Sequence, residues 1–433
     1  MRILVLGSGA REHALLLALK AEGGHELFAA PGNAGIAADA TLVSTLDANS
    51  PAAVTEYAND EQIDLVIIGP EAPLVAGVAD ALRERGIPVF GPGKAAAALE
   101  GSKAFAKRIM DAAGVPTGRA TRAATRPEVE AAIDAYGAPY VVKADGLAAG
   151  KGVIVTDDRT AALAHADAFL PTGPVLVEEF LSGPEVSLFF VSDGDTVRAL
   201  SPAQDFKRAY DGDAGPNTGG MGAYSPLPWL AERFGSERAF IERVTAEVAE
   251  PVIRQLDAEG TPFIGLLYAG LILTGEGEAT EIKVIEFNAR FGDPETQVVL
   301  ARLTSPLSRL LMSAASGTLE DEPEPTFADI AAITVVLASE GYPEAPVTGR
   351  TIGGLDAAAA TPGVHLAHAA TAGPDAPGGD LISTGGRVLN VIATGDTFAQ
   401  ARERAYAALD EITLDGAHFR TDIAAVVART AAE

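Results

Sequence analysis

Short apolar runs alternate with helix-period stretches over the first hundred residues. Ile3–Leu6, Glu26–Ala29, Leu65–Ile68 and Pro88–Phe90 read as strands, and Glu12–Lys20 and Val75–Arg85 as helices. Strands interleaved with helices predict a parallel, doubly wound sheet. Each strand exit is punctuated, at Gly7-Ser-Gly9, Pro31-Gly-Asn-Ala-Gly35, Gly69-Pro-Glu71 and Gly91-Pro-Gly93. Ligands of such sheets sit beyond the carboxyl ends of the strands, so these loops mark one candidate site. From about Ser102 the pattern is richer in strands, at Tyr140–Ala144, Gly152–Thr156, Val175–Phe180 and Val186–Val191. The acidic, proline-rich Asp321–Pro325 reads as a linker. Behind it Ile333–Ser339, Val388–Ala393 and a helix over Phe398–Asp410 predict a small α+β unit, with an exposed loop at Thr371–Gly379. The expected domains are 1–101, 102–320 and 327–433.

One run breaks the apolar rhythm with chemistry. From Val284 to Gln297 a strand carries Glu286, Asn288 and Arg290 at every second position. Alternation puts these three on one face and Ile285 and Phe287 on the other. A carboxylate and an amide oxygen about 7 Å apart along a strand suit a hard divalent ion that keeps waters and shares phosphate oxygens. Arg290 beside them suits developing phosphoryl charge. A merely solvated edge strand would alternate too, but would not continue into the polar cluster Phe291-Gly-Asp-Pro294.

Composition narrows the chemistry. At 433 residues, nearly half of them apolar, the chain is a folded protein of several domains. It has no cysteine, which removes disulfides, thiolate metal sites and thiol catalysis. No apolar run is long enough to span a membrane, and the first strand begins without a secretory pattern, so a cytoplasmic location is expected. A net charge of −27 opposes nucleic acid as a partner. Eight lysines stand against twenty-four arginines. Such an acidic, lysine-poor chain looks adapted to a salty cytoplasm, where self-repulsion is screened; full stability in dilute buffer would contradict that. The corollary is that the remaining lysines are enriched for roles, and Lys103, Lys143, Lys151, Lys207 and Lys283 all lie in or beside unusual motifs.

Further motifs point to phosphate. Gly7–His13 follows a strand and opens a helix, but Glu12 stands where a dinucleotide fingerprint needs its third glycine, which disfavours nicotinamide. Either a phosphate on the helix N-terminus or tight-turn glycines alone would give the pattern. Lys143–Val153 is glycine-rich with flanking lysines. Its spacing fails the P-loop, yet it fits a lid folding over a triphosphate, where a plain hairpin would not need two cations. Val177–Glu185 is a strand running into a turn. Glu178 or Glu179 suits an adenine edge and Glu185 ribose hydroxyls, although acidic strand ends are commonly only solvated. Asp205–Arg208 and Asp213–Gly222 form a long polar stretch whose glycines let backbone amides approach an anion.

Taken in order, the Gly7–His13 loop, Pro31–Gly35, Gly69–Leu74, Glu100-Gly-Ser-Lys103, Lys143–Val153, Gly215–Ser225, Glu286–Gln297 and Gly385–Val388 resemble the ATP-grasp superfamily. Within it they resemble the glycinamide ribonucleotide synthetases along the whole chain. The resemblance implies an ATP-grasp fold preceded by a doubly wound N-terminal domain and followed by a small α+β domain, with a lid over about 121–190. It implies a monomer using ATP, glycine and 5-phosphoribosylamine through a glycyl-phosphate intermediate, with no nucleic-acid or membrane partner. Mg2+ or Mn2+ would sit on Glu286 and Asn288. ATP would be held by Lys103, Lys143, Gly150, Lys151, Gly152, Glu178, Phe180, Leu181 and Glu185. Gly9, Glu71, Asp213, Gly215, Asn217, Arg290 and Asp293 match loops lining the other substrates, and Arg290, Lys143 and Asp213 are the expected catalytic groups. The chain departs from the family pattern in Phe206 for a common His, Ala214 for Thr and Ala289 for an occasional Cys. The apolar Leu271-Ile-Leu273 leaves any second metal without an identified ligand. Another carboxylate–amine ligase of the superfamily, or a nucleotide-binding sensor without catalysis, are the alternatives.

Overall fold

The computed structural model describes residues 1–146, 152–373 and 380–430. The N-terminal sheet is parallel, in the order β3 (Thr41–Leu42), β2 (Glu26–Pro31), β1 (Arg2–Gly7), β4 (Leu65–Ile68) and β5 (Val89–Phe90). Leu4, Leu6, Val66 and Ile68 enter one core cluster while Ile3, Val5, Leu65 and Ile67 enter another. Both faces of the sheet are thus buried, which is why its strands read as unbroken apolar runs. The helix expected over Val75–Arg85 is instead two, Glu71–Ala76 and Val78–Glu84, separated by Gly77 at φ +88°. A left-handed residue ends the first helix there, and glycine adopts that conformation without a Cβ clash.

The next sheet is antiparallel, in the order β6 (Ala120–Ala123), β9 (Val175–Glu178), β7 (Tyr140–Ala144) and β8 (Val153–Thr156). Helices Arg126–Tyr136 and Arg159–Phe169 cover it, giving it a small core of its own around Val129, Ile133, Val142, Leu163 and Val177. The strand expected to reach Phe180 stops at Glu178.

From there the chain lays down β10 (Glu185–Asp193), β11 (Val197–Ala199), β12 (Gln204–Asp205), β13 (Arg208–Tyr210), β14 (Ala214–Asn217), β15 (Gly222–Ser225), β16 (Ile264–Thr274) and β17 (Glu281–Asn288). Strands β11-β10-β16-β17 form the antiparallel sheet that carries the candidate metal strand. The polar stretch before Gly222 is not a structureless loop, because β13 and β14 pair within it.

After residue 330 come β18 (Ala331–Ala338), β19 (Ile352–Gly353), β20 (Val364–His368), β21 (Thr371–Ala372), β22 (Ile382–Ser383) and β23 (Arg387–Gly395). The C-terminal sheet runs β12-β15-β18-β23-β20, so two of its strands come from before residue 226. The Thr371–Gly379 stretch begins as β21, paired with β22, and residues 374–379 lie outside the described residues. Among the described residues no helix is long and apolar enough to cross a membrane.

Candidate functional site

Strand β17 is bent at Ile285. Gly270 pairs with Glu286 but Leu271 pairs with Val284, which leaves Ile285 as the extra residue of a β-bulge. Before it Ile282 and Val284 are buried; after it Phe287 is. The bulge therefore reverses the alternation. Without it Glu286 would share the core face of Ile282 and Val284; with it Glu286 and Asn288 both face the cleft. This corrects the simple strand reading in two respects. Ile285 does not share the Phe287 face as a regular strand residue, and Arg290 lies past the strand end at Asn288.

Four cations surround Glu286. Burial works to raise its carboxyl, but Lys207, Lys143, Lys103 and Arg290 outweigh that and hold it below the usual carboxylate range. An ionised carboxylate and an amide oxygen on one strand face fit magnesium that takes its other positions from water and phosphate. Among the described residues no three His, Asp or Glu side chains gather into a closed metal cage. The donor set is open, as a shared ion requires.

The nucleotide-side residues converge from two sheets. Lys143, on β7, pairs with Glu178 of β9 at 2.8 Å, and its Nζ stands 3.5 Å from the Ile285 carbonyl. Lys107 joins the same carboxylate at 3.5 Å. Lys103 Nζ donates to the Gly146 carbonyl at 3.1 Å. Burial pushes the Lys103 ammonium below its usual range, with Glu286 resisting. Glu185 and Lys207 form a close ion pair at the start of β10. Burial pushes the neighbouring Asp205 up to about 7, against the pull of Lys207. Glu179 is not free to read a base, because it accepts from the Arg119 backbone at 3.0 Å and from its guanidinium at 2.6 Å. Phe180 is 44% exposed and Leu181 is half-buried just beyond β9. Gly152 is buried and its carbonyl accepts from Ala144, whereas Gly150 and Lys151 lie outside the described residues.

Arg290 is held by carboxylates. Its Nη2 lies 3.1 Å from Glu100 Oε1, its Nε 3.9 Å from Glu71, and its Nη2 3.5 Å from Asn288 Oδ1. Glu100 also accepts from the Ala289 backbone at 2.8 Å. Burial raises the Glu100 carboxyl despite Arg290, while Glu100 and Glu71 raise Arg290 against its own burial.

A cavity of about 470 Å3 opens between the N-terminal loops and the C-terminal sheet, lined by Ser8, Gly9, Asn33, Asp293, Tyr342 and Arg387 among others. Arg387 donates to the carbonyls of Gly219 at 2.6 Å and Asp293 at 2.9 Å, and its other nitrogen lies 3.3 Å from the Asp293 carboxylate. The Gly9 amide is already engaged, since the Glu12 carboxylate folds back onto it at 2.6 Å. The Glu12 carboxylate of the chain thus already engages one backbone amide of that helix N-terminus.

Asp213, Gly215 and Asn217 lie on the β13–β14 hairpin. The Asp213 side chain is 70% exposed and bonds to Arg420, which is 1% exposed and stacks over Phe206. Asp213 is therefore tied to the C-terminal segment through Arg420. Lys107, Glu100, Arg387 and Arg420 were not among the expected site residues. For Lys107 there was a signal: it lies four residues after Lys103, on the same helix face, in a lysine-poor chain.

Comparison with known proteins shows the family. Family models for phosphoribosylglycinamide synthetase match in order, the N domain over residues 1–100, the ATP-grasp (A) domain over 101–296 and the C domain over 332–426. The phosphoribosylamine–glycine ligase of Leifsonia xyli is 67% identical over 98% of this chain and 100% of its own length. The crystal structure of the Thermotoga maritima phosphoribosylamine–glycine ligase matches with a TM-score of 0.80 at 33% identity, over 98% of this chain and 100% of that one. The biotin carboxylase domain of Hydrogenobacter thermophilus 2-oxoglutarate carboxylase, solved with MgADP, shares the fold at a TM-score of 0.67 and 18% identity, over 96% and 91% of the two chains. With three consecutive family models and a two-thirds-identical relative of full length, the chain belongs to the phosphoribosylamine–glycine ligase family of ATP-grasp enzymes.

Proposed function

We propose that the residues gathered between β7 and β17 activate glycine for attack by 5-phosphoribosylamine. As a member of its family the chain is an ATP-dependent carbon–nitrogen ligase of purine biosynthesis. In the first half-reaction a glycine carboxylate oxygen takes the terminal phosphoryl of ATP, giving glycyl phosphate and ADP. In the second the amine of 5-phosphoribosylamine attacks the acyl carbon. Phosphate leaves, and the amine gives up a proton as the amide forms. Both partners of the first step are anions, so alignment and charge neutralisation matter more than a general base.

Lys103, Lys143 and Arg290 supply that neutralisation in this reading. Glu286 and Asn288 would hold magnesium, which when bound neutralises charge on the phosphate oxygens. Phe180 and Leu181 would offer an apolar face to adenine, with Glu185 toward the ribose. The cavity beside Asp293 and Arg387 would take the phosphoribosyl group. The sheet β6–β9 would close over the acyl phosphate and exclude water. The reading is carried by one observation: a half-buried carboxylate held ionised by four surrounding cations, on a strand bent to present it. Phosphate release should require glycine and phosphoribosylamine together. Equal release with another amine acceptor would overturn the substrate assignment. A parallel loss of turnover and nucleotide affinity in Asn288→Ala would favour a binding protein.

A further inference from the structure

The bend in β17 turns Glu286 out of the core, and its backbone is held from outside the sheet. Thr117 donates its hydroxyl to the Val284 carbonyl at 2.6 Å, and the Val284 amide donates to Pro116 at 2.9 Å. The next carbonyl, Ile285, faces Lys143. The Thr117 hydroxyl is itself oriented. Lys107 Nζ donates to Thr117 Oγ1 at 2.9 Å, so the hydroxyl proton is left for Val284. The same ammonium donates to the Gly118 carbonyl at 2.9 Å and pairs with Glu178. Gly118 lies on the segment leading into the β6–β9 sheet, and Glu178 is the last residue of β9, where the chain leaves the sheet. These two segments are also joined directly, Glu179 donating its amide to Arg119 at 3.0 Å. One partly buried lysine therefore grips both connections of the lid sheet and, through Thr117, the carbonyl just before the bulge.

We infer that Thr117 and Lys107 are positioning residues that fix the bulge of β17 from the base of the lid, so that the Glu286–Asn288 pair meets a metal ion only when the lid connections are in place. Thr117 matches the shape of valine, which separates its hydroxyl from its packing. The inference rests on the metal reading of Glu286 and Asn288 above.

The test uses the full chain, with ADP binding measured by calorimetry in the presence and absence of Mg2+. Thr117→Val should bind ADP without Mg2+ within twofold of wild type. The tightening that Mg2+ confers should fall at least tenfold, and Thr117→Ser should restore it. Lys107→Met, which frees the Thr117 hydroxyl without removing it, should show the same selective loss to a smaller degree. Full Mg2+ tightening in both Thr117→Val and Lys107→Met would overturn the inference, as would an equal loss with and without Mg2+. If Asn288→Ala keeps the full Mg2+ effect, the metal reading itself fails, which distinguishes that failure from this one.

Discussion

Lys143 Nζ and Glu178 Oε2 lie 2.8 Å apart, and their side chains are only 7% and 8% exposed. A buried pair of this kind is costly to break from one side, because the remaining charge stays desolvated. Lys143→Met should destabilise the protein more than the double variant Lys143→Met/Glu178→Leu. The double-mutant cycle in denaturant unfolding should give a coupling of about 1–3 kcal/mol. A coupling near zero would show that Lys107 alone satisfies Glu178. Turnover of Lys143→Met should fall by roughly two orders of magnitude or more, the scale for losing a charge aimed at a transition state.

Glu286→Gln removes the negative charge that Lys207, Lys143, Lys103 and Arg290 hold ionised. ATP affinity measured in chelator should therefore hold or rise, since the cleft becomes more positive. Turnover with Mg2+ should drop by about two orders of magnitude or more, as for other lost electrostatic contributions. Equilibrium binding beside steady-state rates separates the two effects. A fall in chelator-measured affinity equal to the fall in turnover would contradict the assignment.

Arg387 anchors Gly219, Asp293 and the rim of the cavity. Arg387→Ala should raise the KM for phosphoribosylamine at least about tenfold, the size of one lost charge-assisted contact. The KM values for ATP and glycine should stay within about twofold. A uniform rise in all three would mean that Arg387 holds the fold rather than the phosphoribosyl site.

His368 ties the end of β20 to the N-terminal domain. Its backbone amide donates to His13 Nδ1 at 2.9 Å, and its carbonyl accepts from Asn33 at 2.8 Å. Burial, helped by His13, pushes its ring down to about 4 from the ordinary 6.5. The folded value is depressed, so the neutral ring stabilises the fold fully above pH 6.5, and that stability is lost as pH falls toward 4. The linkage amounts to about 3 kcal/mol at most. His368→Asn should remove up to about one proton from the pH dependence of unfolding over that window, as read from denaturant midpoints. An unchanged slope would assign the acid sensitivity elsewhere.

Much of this was legible in the chain, and the reason differs from place to place. Leu65–Ile68 and Tyr140–Ala144 have the bounds that their apolar runs suggested; the first is packed between layers and wholly apolar, while the second buries Val141 and Val142 and carries Lys143. Glu286 and Asn288 were identifiable because polar groups interrupt such a run. The bulge was missed, although Ile282 and Val284 are even-numbered apolar positions and Phe287 an odd one, a clash of parity that marks an inserted residue. Asp213 shared a motif with the site, but its direction depends on Arg420, more than two hundred residues away. Nothing local encodes such a partner. Thr117 is ordinary in sequence and acquires its role only where separate elements meet.

The C-terminal sheet takes β12 and β15 from before residue 226 and β18, β20 and β23 from after residue 330. Severing the chain near Glu320 would strip β15 of its neighbour and expose its hydrogen-bonding edge. It would also part Arg302 from the carbonyls of Ala328 and Ile330. The last hundred residues are accordingly not a detachable module. Nature could shuffle this piece between proteins only by carrying a stretch of the nucleotide-handling region with it.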